Sequence, residues 1–111
     1  MPTIYRGDSW KRVWRFTTRP ANPDYLVGAS ARLHLRDTRK TLVISAASPT
    51  ASLSIVPDQE GGTIYLNVPA AQTQSLKPGK YFFDLEVTFS DSTVLTVEQA
   101  TLTVLEDYTH D

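Results

Sequence analysis

The residue types that could perform acid–base or metal chemistry are few and scattered in this sequence. Asp84 and Glu86 lie two positions apart, and glycoside hydrolysis uses such a carboxylate pair. His34 has no His, Cys or carboxylate at metal-ligand spacing, and His110 lies in the last two residues. Neither histidine therefore predicts a zinc site or a partnered general base. No nucleophile-elbow, phosphate-loop or zincin motif is present, so we predict a protein that is not an enzyme, with no catalytic residue, metal or cofactor.

The tripeptide Arg6-Gly7-Asp8 spells the integrin-binding sequence. Three residues match often by chance, and a simpler interpretation is available. Glycine supplies an unusual backbone φ angle and aspartate caps turns. We predict a turn between the first two strands at this position.

Charge is distributed unevenly along the chain. The net charge is −1, which predicts no general attraction to nucleic acid. Residues 1–40 nevertheless hold nine Lys and Arg against three Asp and Glu, whereas residues 41–111 hold two against nine. We favour an arrangement in which the two halves interleave and their charges pair across strands; a polyanion site or a polar interface is the alternative.

The sequence contains no cysteine, so disulfides and thiolate–metal sites are impossible, and synthesis in a reducing cytoplasm is favoured. No apolar run approaches the roughly 20 residues of a membrane helix, and the N-terminus lacks a secretion signal pattern. We expect no membrane contact. If the protein leaves the cell, we expect a route other than secretion, such as lysis inside a particle.

Apolar residues recur at every second position in several segments, which is typical of half-buried strands. In the clearest segment the apolar phase is Tyr81, Phe83, Leu85, Val87 and Phe89. Phe82 is the exception on the opposite, mostly polar phase. Further strands are predicted at residues 10–17, 31–38, 52–55, 63–68 and 94–106.

The connections between these segments are turn-like. Residues 58–62 and 90–92 predict tight turns, and 69–76 predict one helical turn after Pro69. The apolar phase of the last strand slips near Gln99, which predicts a β-bulge or a handover between sheets. Turn signals at intervals of about 8–12 residues indicate a sandwich or small barrel, within a single domain spanning 1–111.

The segment Leu76-Lys77-Pro78-Gly79-Lys80-Tyr81-Phe82-Phe83 resembles the turn into the sixth strand of immunoglobulin-like domains. The resemblance implies an all-β, immunoglobulin-like antiparallel β-sandwich of about seven or eight strands. It also implies a tyrosine corner at Tyr81 and places Phe83 where antibodies carry their second cysteine. This sequence departs from antibody domains because no cysteine is present to pair there, and neither tryptophan lies on the third strand.

Four residues are predicted as partner contacts: Phe82, Tyr65, Arg32 and Arg36. Phe82 and Tyr65 are aromatic residues on outward phases, and a phenylalanine on a charged face often marks a contact patch. If the third strand neighbours the sixth, Arg32 and Arg36 are expected to lie across from Asp84 and Glu86 and to set the register. Phe82 is the most informative of the four.

The whole chain resembles small phage-encoded immunoglobulin-like proteins, akin to the N-terminal domain of phage baseplate upper proteins. The resemblance rests on short elements along the chain, which are Ile4-Tyr5-Arg6-Gly7-Asp8-Ser9, Trp14-Arg15-Phe16, Leu26-Val27-Gly28, Leu33-His34-Leu35-Arg36, Gly79-Lys80-Tyr81 with Asp84, and the acidic end from Val104 to Thr109. It implies a structural or assembly role in a virion, in the tail, baseplate or fibre attachment or as a decoration protein. Its partners would be other virion proteins or further copies of itself. The alternative is a carbohydrate-binding module for host-surface glycans.

Overall fold

The computed structural model describes residues 3–17, 26–48, 50, 52–59 and 61–106. The chain forms eight strands and one short helix in these ranges. They are β1 (Thr3–Tyr5), β2 (Trp10–Thr17), β3 (Ser30–Arg36), β4 (Leu42–Ala47), β5 (Leu53–Asp58), β6 (Gly61–Val68), α1 (Ala70–Thr73), β7 (Gly79–Thr88) and β8 (Val94–Leu105). The all-β class and the predicted number of strands are confirmed. Strand β4 was not predicted.

The strands form two sheets packed as an immunoglobulin-like β-sandwich, which confirms the predicted fold. One sheet has five strands in the order β1-β8-β7-β3-β4, and the other has three in the order β2-β6-β5. Neighbouring strands pair antiparallel except β1 and β8, which are parallel. The pairing of β3 with β7 confirms that the predicted third and sixth strands are neighbours.

The core is built from the inward phases of both sheets. In this core, Trp10 of β2 contacts Phe83 of β7 and so joins the two sheets. The ring centroids are 5.2 Å apart, and the interplanar angle is 75°. This edge-to-face arrangement suits the charge distribution of aromatic rings. Phe83 is the residue that the immunoglobulin resemblance places at the second cysteine of antibodies, and here it joins the sheets through an aromatic contact.

Strand β8 contains the predicted irregularity. Leu85 pairs with Glu98 and Glu86 pairs with Thr96, so Val97 is an extra residue in β8. This β-bulge confirms the predicted phase slip and places it two residues before Gln99. Because Leu85 faces the core, its partner Glu98 is also directed inward.

Two predicted turns are confirmed. Strands β5 and β6 form a hairpin in which Asp58 pairs with Gly61, so only two residues connect them, as the predicted tight turn requires. The turn at Arg6-Gly7-Asp8 is confirmed by the amide of Asp8, which donates to the carbonyl of Tyr5 at 3.0 Å. Gly7 there has a φ of 91°, a conformation that glycine adopts without steric cost.

The helical turn and the tyrosine corner lie as predicted. Helix α1 falls within residues 69–76, and the buried Thr73 hydroxyl donates to the carbonyl of Asp8 at 2.6 Å. The Tyr81 hydroxyl donates to the carbonyl of Lys77 at 2.6 Å. This bond fixes the turn that leads the chain into β7.

Replacing Tyr81 with phenylalanine should reduce stability and its alkaline pH dependence. Burial raises the pKa of Tyr81 above its ordinary value of 10.0. The folded state therefore retains this proton more tightly than the unfolded state. The stabilisation is complete below the unfolded pKa and is lost as pH rises through the folded one. We expect Tyr81→Phe to cost about 1 kcal/mol at neutral pH and to flatten the fall in unfolding free energy above about pH 10.

Urea unfolding followed by circular dichroism from about pH 8 to about pH 11 measures both effects. Tyr65→Phe is the control, because Tyr65 is exposed and its loss should leave the curve nearly unchanged. Equal curves for Tyr81→Phe and the unmodified protein would contradict the role of the corner.

Candidate binding surface

The outer face of the five-stranded sheet carries three rows of side chains, which we call the Phe82 surface. In the order β3, β7, β8, the rows are Arg36–Phe82–Thr101, His34–Asp84–Gln99 and Arg32–Glu86–Thr96. This face combines an aromatic ring with charges of both signs.

Phe82 is the aromatic centre of the surface and is 43% exposed, which confirms its outward orientation. The Lys80 ammonium lies 5.4 Å from the centroid of its ring, within range of a cation–π interaction. Arg36, the cross-strand partner of Phe82, donates to the Lys40 carbonyl at 3.1 Å and is thereby tied to the β3–β4 turn. Lys80 and Arg36 are therefore basic neighbours of this partly exposed ring.

The predicted pairing of the two arginines is half correct. Arg32 and Glu86 form an ion pair at 2.9 Å, as predicted. Arg36 does not face a carboxylate: its partner across the strands is Phe82, and His34 faces Asp84 instead. In the same register Leu33 pairs with Leu85 and Leu35 with Phe83 inside the core, so a slip of one residue would turn these side chains outward.

An open groove of about 610 Å³ crosses this surface and is lined by His34, Arg36, Phe82 and Asp84, among others. Asp84 therefore lies in a groove. Glu86 does not line the groove and lies in a smaller depression of about 330 Å³ beside Arg32. No hydrogen bond joins His34 to Asp84 within the described ranges. His110 lies outside the described residues.

Side chains that could bind a metal are not clustered in the part of the chain that the structure describes. No cluster of three or more His, Cys, Asp or Glu residues occurs there. Among the same residues, no helix is long and apolar enough to cross a membrane.

Tyr65 lies on the opposite side of the molecule from the other three predicted contacts. It is 44% exposed on the outer face of the three-stranded sheet, directly across from the exposed Val13. Phe82, Arg32 and Arg36 share one surface, and Tyr65 belongs to another.

Sequence reasoning missed an exposed apolar pair on the Phe82 side. Tyr5 and Leu105 are neighbours in the parallel β1–β8 pairing and are both exposed. Along β8, Leu105 is four residues from Thr101, the neighbour of Phe82, or about 13 Å at the usual strand rise. Only the β1–β8 pairing, which alternation cannot predict, brings Tyr5 to this face.

One charged pair lies between the sheets. Glu98 accepts from the Arg12 guanidinium at 2.6 Å and from the Trp14 indole at 2.9 Å with the same oxygen. The Arg12 guanidinium carbon also lies 5.5 Å from the ring centroids of Trp14 and Phe83. These groups satisfy one another, so we interpret the cluster as structural packing.

Basic residues of the first part of the sequence form ion pairs with acidic residues of the remainder once the chain is folded. Ion pairs join basic residues of the first 40 positions to acidic residues of the remainder: Arg6–Glu106 at 3.3 Å, Arg12–Glu98 at 2.6 Å, Arg15–Asp58 at 3.4 Å and Arg32–Glu86 at 2.9 Å. The predicted interleaving of the two halves is confirmed.

Comparison with known proteins identifies the fold. No family model matches the chain, and no curated protein matches it. Among solved structures, CopC from Methylosinus trichosporium OB3b is similar with a TM-score of 0.52 and 17% identity, over 95% of this chain and 83% of that one. AggA, the major subunit of aggregative adherence fimbriae type I from Escherichia coli, aligns with a TM-score of 0.44 and 13% identity over 96% and 91%. At this identity, the likeness to CopC shows a shared fold alone.

Proposed function

We propose that the protein is a non-enzymatic binding module that attaches to other proteins through the Phe82 surface. The observation that carries the proposal is the partly exposed Phe82 ring on the outer face of β7, with Lys80 over the ring and Arg36 as its cross-strand partner. Aromatic residues and arginine are enriched in protein interfaces and dominate their binding energy.

The charges around the ring favour a protein partner over a polyanion. Asp84 lies across from His34 and Glu86 across from Arg32, so carboxylates share the surface with the basic residues Arg32, Arg36 and Lys80. A polyanion would be repelled by the carboxylates, whereas a protein surface can match both signs.

We further propose that this module is a structural component of a bacteriophage particle, made in the host cytoplasm and retained in the virion. The sequence resemblance to phage-encoded immunoglobulin-like proteins supports this assignment. A symmetric particle presents many copies of each site, so modest contacts at each Phe82 surface would sum to stable attachment.

Replacing Phe82 with serine should reduce incorporation into phage particles about tenfold, since losing an interface aromatic typically costs more than about 1 kcal/mol. Tyr65→Ser is the matched control, because Tyr65 has nearly the same exposure on the opposite face. Quantitative mass spectrometry of purified particles measures the incorporation of each variant.

The outcomes separate the two parts of the proposal. Absence of the unmodified protein from purified particles would overturn the phage assignment. Equal incorporation of Phe82→Ser and Tyr65→Ser would overturn the role of the Phe82 surface.

Glycan binding is the second candidate function, because the aromatic residues Tyr5 and Phe82 share one face. If the unmodified protein binds glycans on an array and Phe82→Ser does not, that result would favour this candidate.

A further inference from the structure

The edges of the two sheets differ in how well they are protected against pairing with another chain. An edge strand directs N–H and C=O groups outward, and natural proteins block such edges with charge, proline, bulges or short strands. In the described ranges, β1 and β4 lie at the edges of one sheet and β2 and β5 at the edges of the other.

Three of these four edges carry a recognised block. Strand β1 has only three residues. Strand β5 contains Pro57, which cannot donate a hydrogen bond. Strand β2 carries Lys11 and Arg15, and antiparallel self-pairing about Val13 would set these like charges against each other. The part of β8 that extends beyond β1 is interrupted by the bulge at Val97.

Strand β4 has neither charge nor proline. Its sequence is Leu-Val-Ile-Ser-Ala-Ala, and Leu42 and Val43 are exposed although large and apolar. It lies in a run without charged residues from 41 to 57. The comparable run, 61–76, includes β6, which has a neighbour on both sides and no free edge.

We propose that β4 pairs antiparallel with β4 of a second copy of this chain, about a two-fold axis at Ser45. The irregularity in the β3–β4 pairing is confined to the Leu42 end, so the strand is regular from Ile44 to Ala47. A two-fold axis at Ser45 sets Ile44 beside Ala46 of the second copy, a large side chain against a small one.

A second copy is the occupant because this strand complements itself. No like charges oppose each other in the pair, and an isologous contact closes as a dimer without forming a fibre. The result is one sheet of ten strands, five from each copy, with both Phe82 surfaces on the same side. The inference does not depend on what the Phe82 surface binds.

Sedimentation velocity from about 10 µM to about 1 mM should show a monomer–dimer equilibrium in the full chain. Ser45→Lys places two lysines together at the axis, so we expect at least about a tenfold weaker association. Thr17→Lys adds the same charge at an exposed position of the β2 edge and should dimerise normally. Phe82→Ser should also dimerise normally.

A cysteine cross-link provides a second measurement, because the chain has no cysteine of its own. In antiparallel pairs, directly opposed residues lie about 4.5–5.5 Å apart at Cα, within disulfide range. Ser45→Cys should therefore form a covalent dimer under mild oxidation much faster than Thr17→Cys. A monomer throughout the concentration range, or equal cross-linking of the two cysteine variants, would overturn the proposal.

Discussion

Replacing Trp10 with alanine should lower the free energy of unfolding by about 3–5 kcal/mol, the usual range for removing a large aromatic from a core. Trp10 is 2% exposed and packs edge-on against Phe83, so it joins the two sheets in a chain that has no disulfide. Domains of this size have a total stability of about 5–15 kcal/mol. The variant should therefore be close to unfolding, as urea titration with far-ultraviolet circular dichroism will show.

Val13→Ala is the control on the same strand, because Val13 is 60% exposed and surface changes usually stay within about 0.5 kcal/mol. The variant Trp10→Phe keeps an aromatic ring in the core but removes the indole N–H, so it separates the contribution of ring packing from that of the polar group. The Trp10 indole N–H is buried without a hydrogen-bond partner within the described ranges, so phenylalanine removes that cost and should destabilise less than alanine. A loss below about 1 kcal/mol in Trp10→Ala would contradict the bridging role.

The sequence predicts the inward face of each long strand because burial imposes a period of two on it. Tyr81, Phe83, Leu85 and Val87 are all buried, and the residues between them are not. The same pattern places Trp10 and Trp14 inside. These assignments need only one strand at a time, so no knowledge of its neighbours is required.

Cross-strand partners could not be predicted in this way. Alternation is unchanged when one strand slides by two residues past another, so it cannot distinguish Asp84 from Phe82 as the partner of Arg36. It also cannot assign a strand to a sheet, which is why Phe82 and Tyr65 were predicted as one contact set although they lie on opposite faces. The structure resolves both questions through the pairing of β3 with β7 and of β2 with β6.

Strand β4 was missed for a different reason. Its run Leu-Val-Ile-Ser-Ala-Ala does not alternate cleanly, since Leu42 and Val43 are exposed at the edge while Ile44 and Ala46 are buried. A strand with one neighbour and a bulge at one end is under weaker patterning constraint than a central strand.

The glycines at 61 and 62 were predicted as part of the turn after Asp58, because glycine is common in turns. The chain does reverse between Asp58 and Gly61, and both glycines are also paired within β6. Their role is close approach of neighbouring strands. At Gly62, where φ is 142°, an added Cβ would lie 2.7 Å from the Val56 carbonyl oxygen and 2.8 Å from a methyl group of Leu26. At position 62, glycine therefore permits the close packing of β6 against Val56 and Leu26.

Gly62→Ala should consequently destabilise the protein by about 2–5 kcal/mol, the sum of backbone strain and overpacking at about 1–3 kcal/mol each. Gly79→Ala is the matched control, because Gly79 has a similar φ of 148° but open space around the added Cβ. Gly79→Ala should therefore lose only the stability that corresponds to backbone strain, about 1–3 kcal/mol. Thermal and urea unfolding of the two variants will compare them directly. If both lose the same stability, the close approach of β5 to β6 has no energetic role, and backbone conformation alone explains the glycine at position 62.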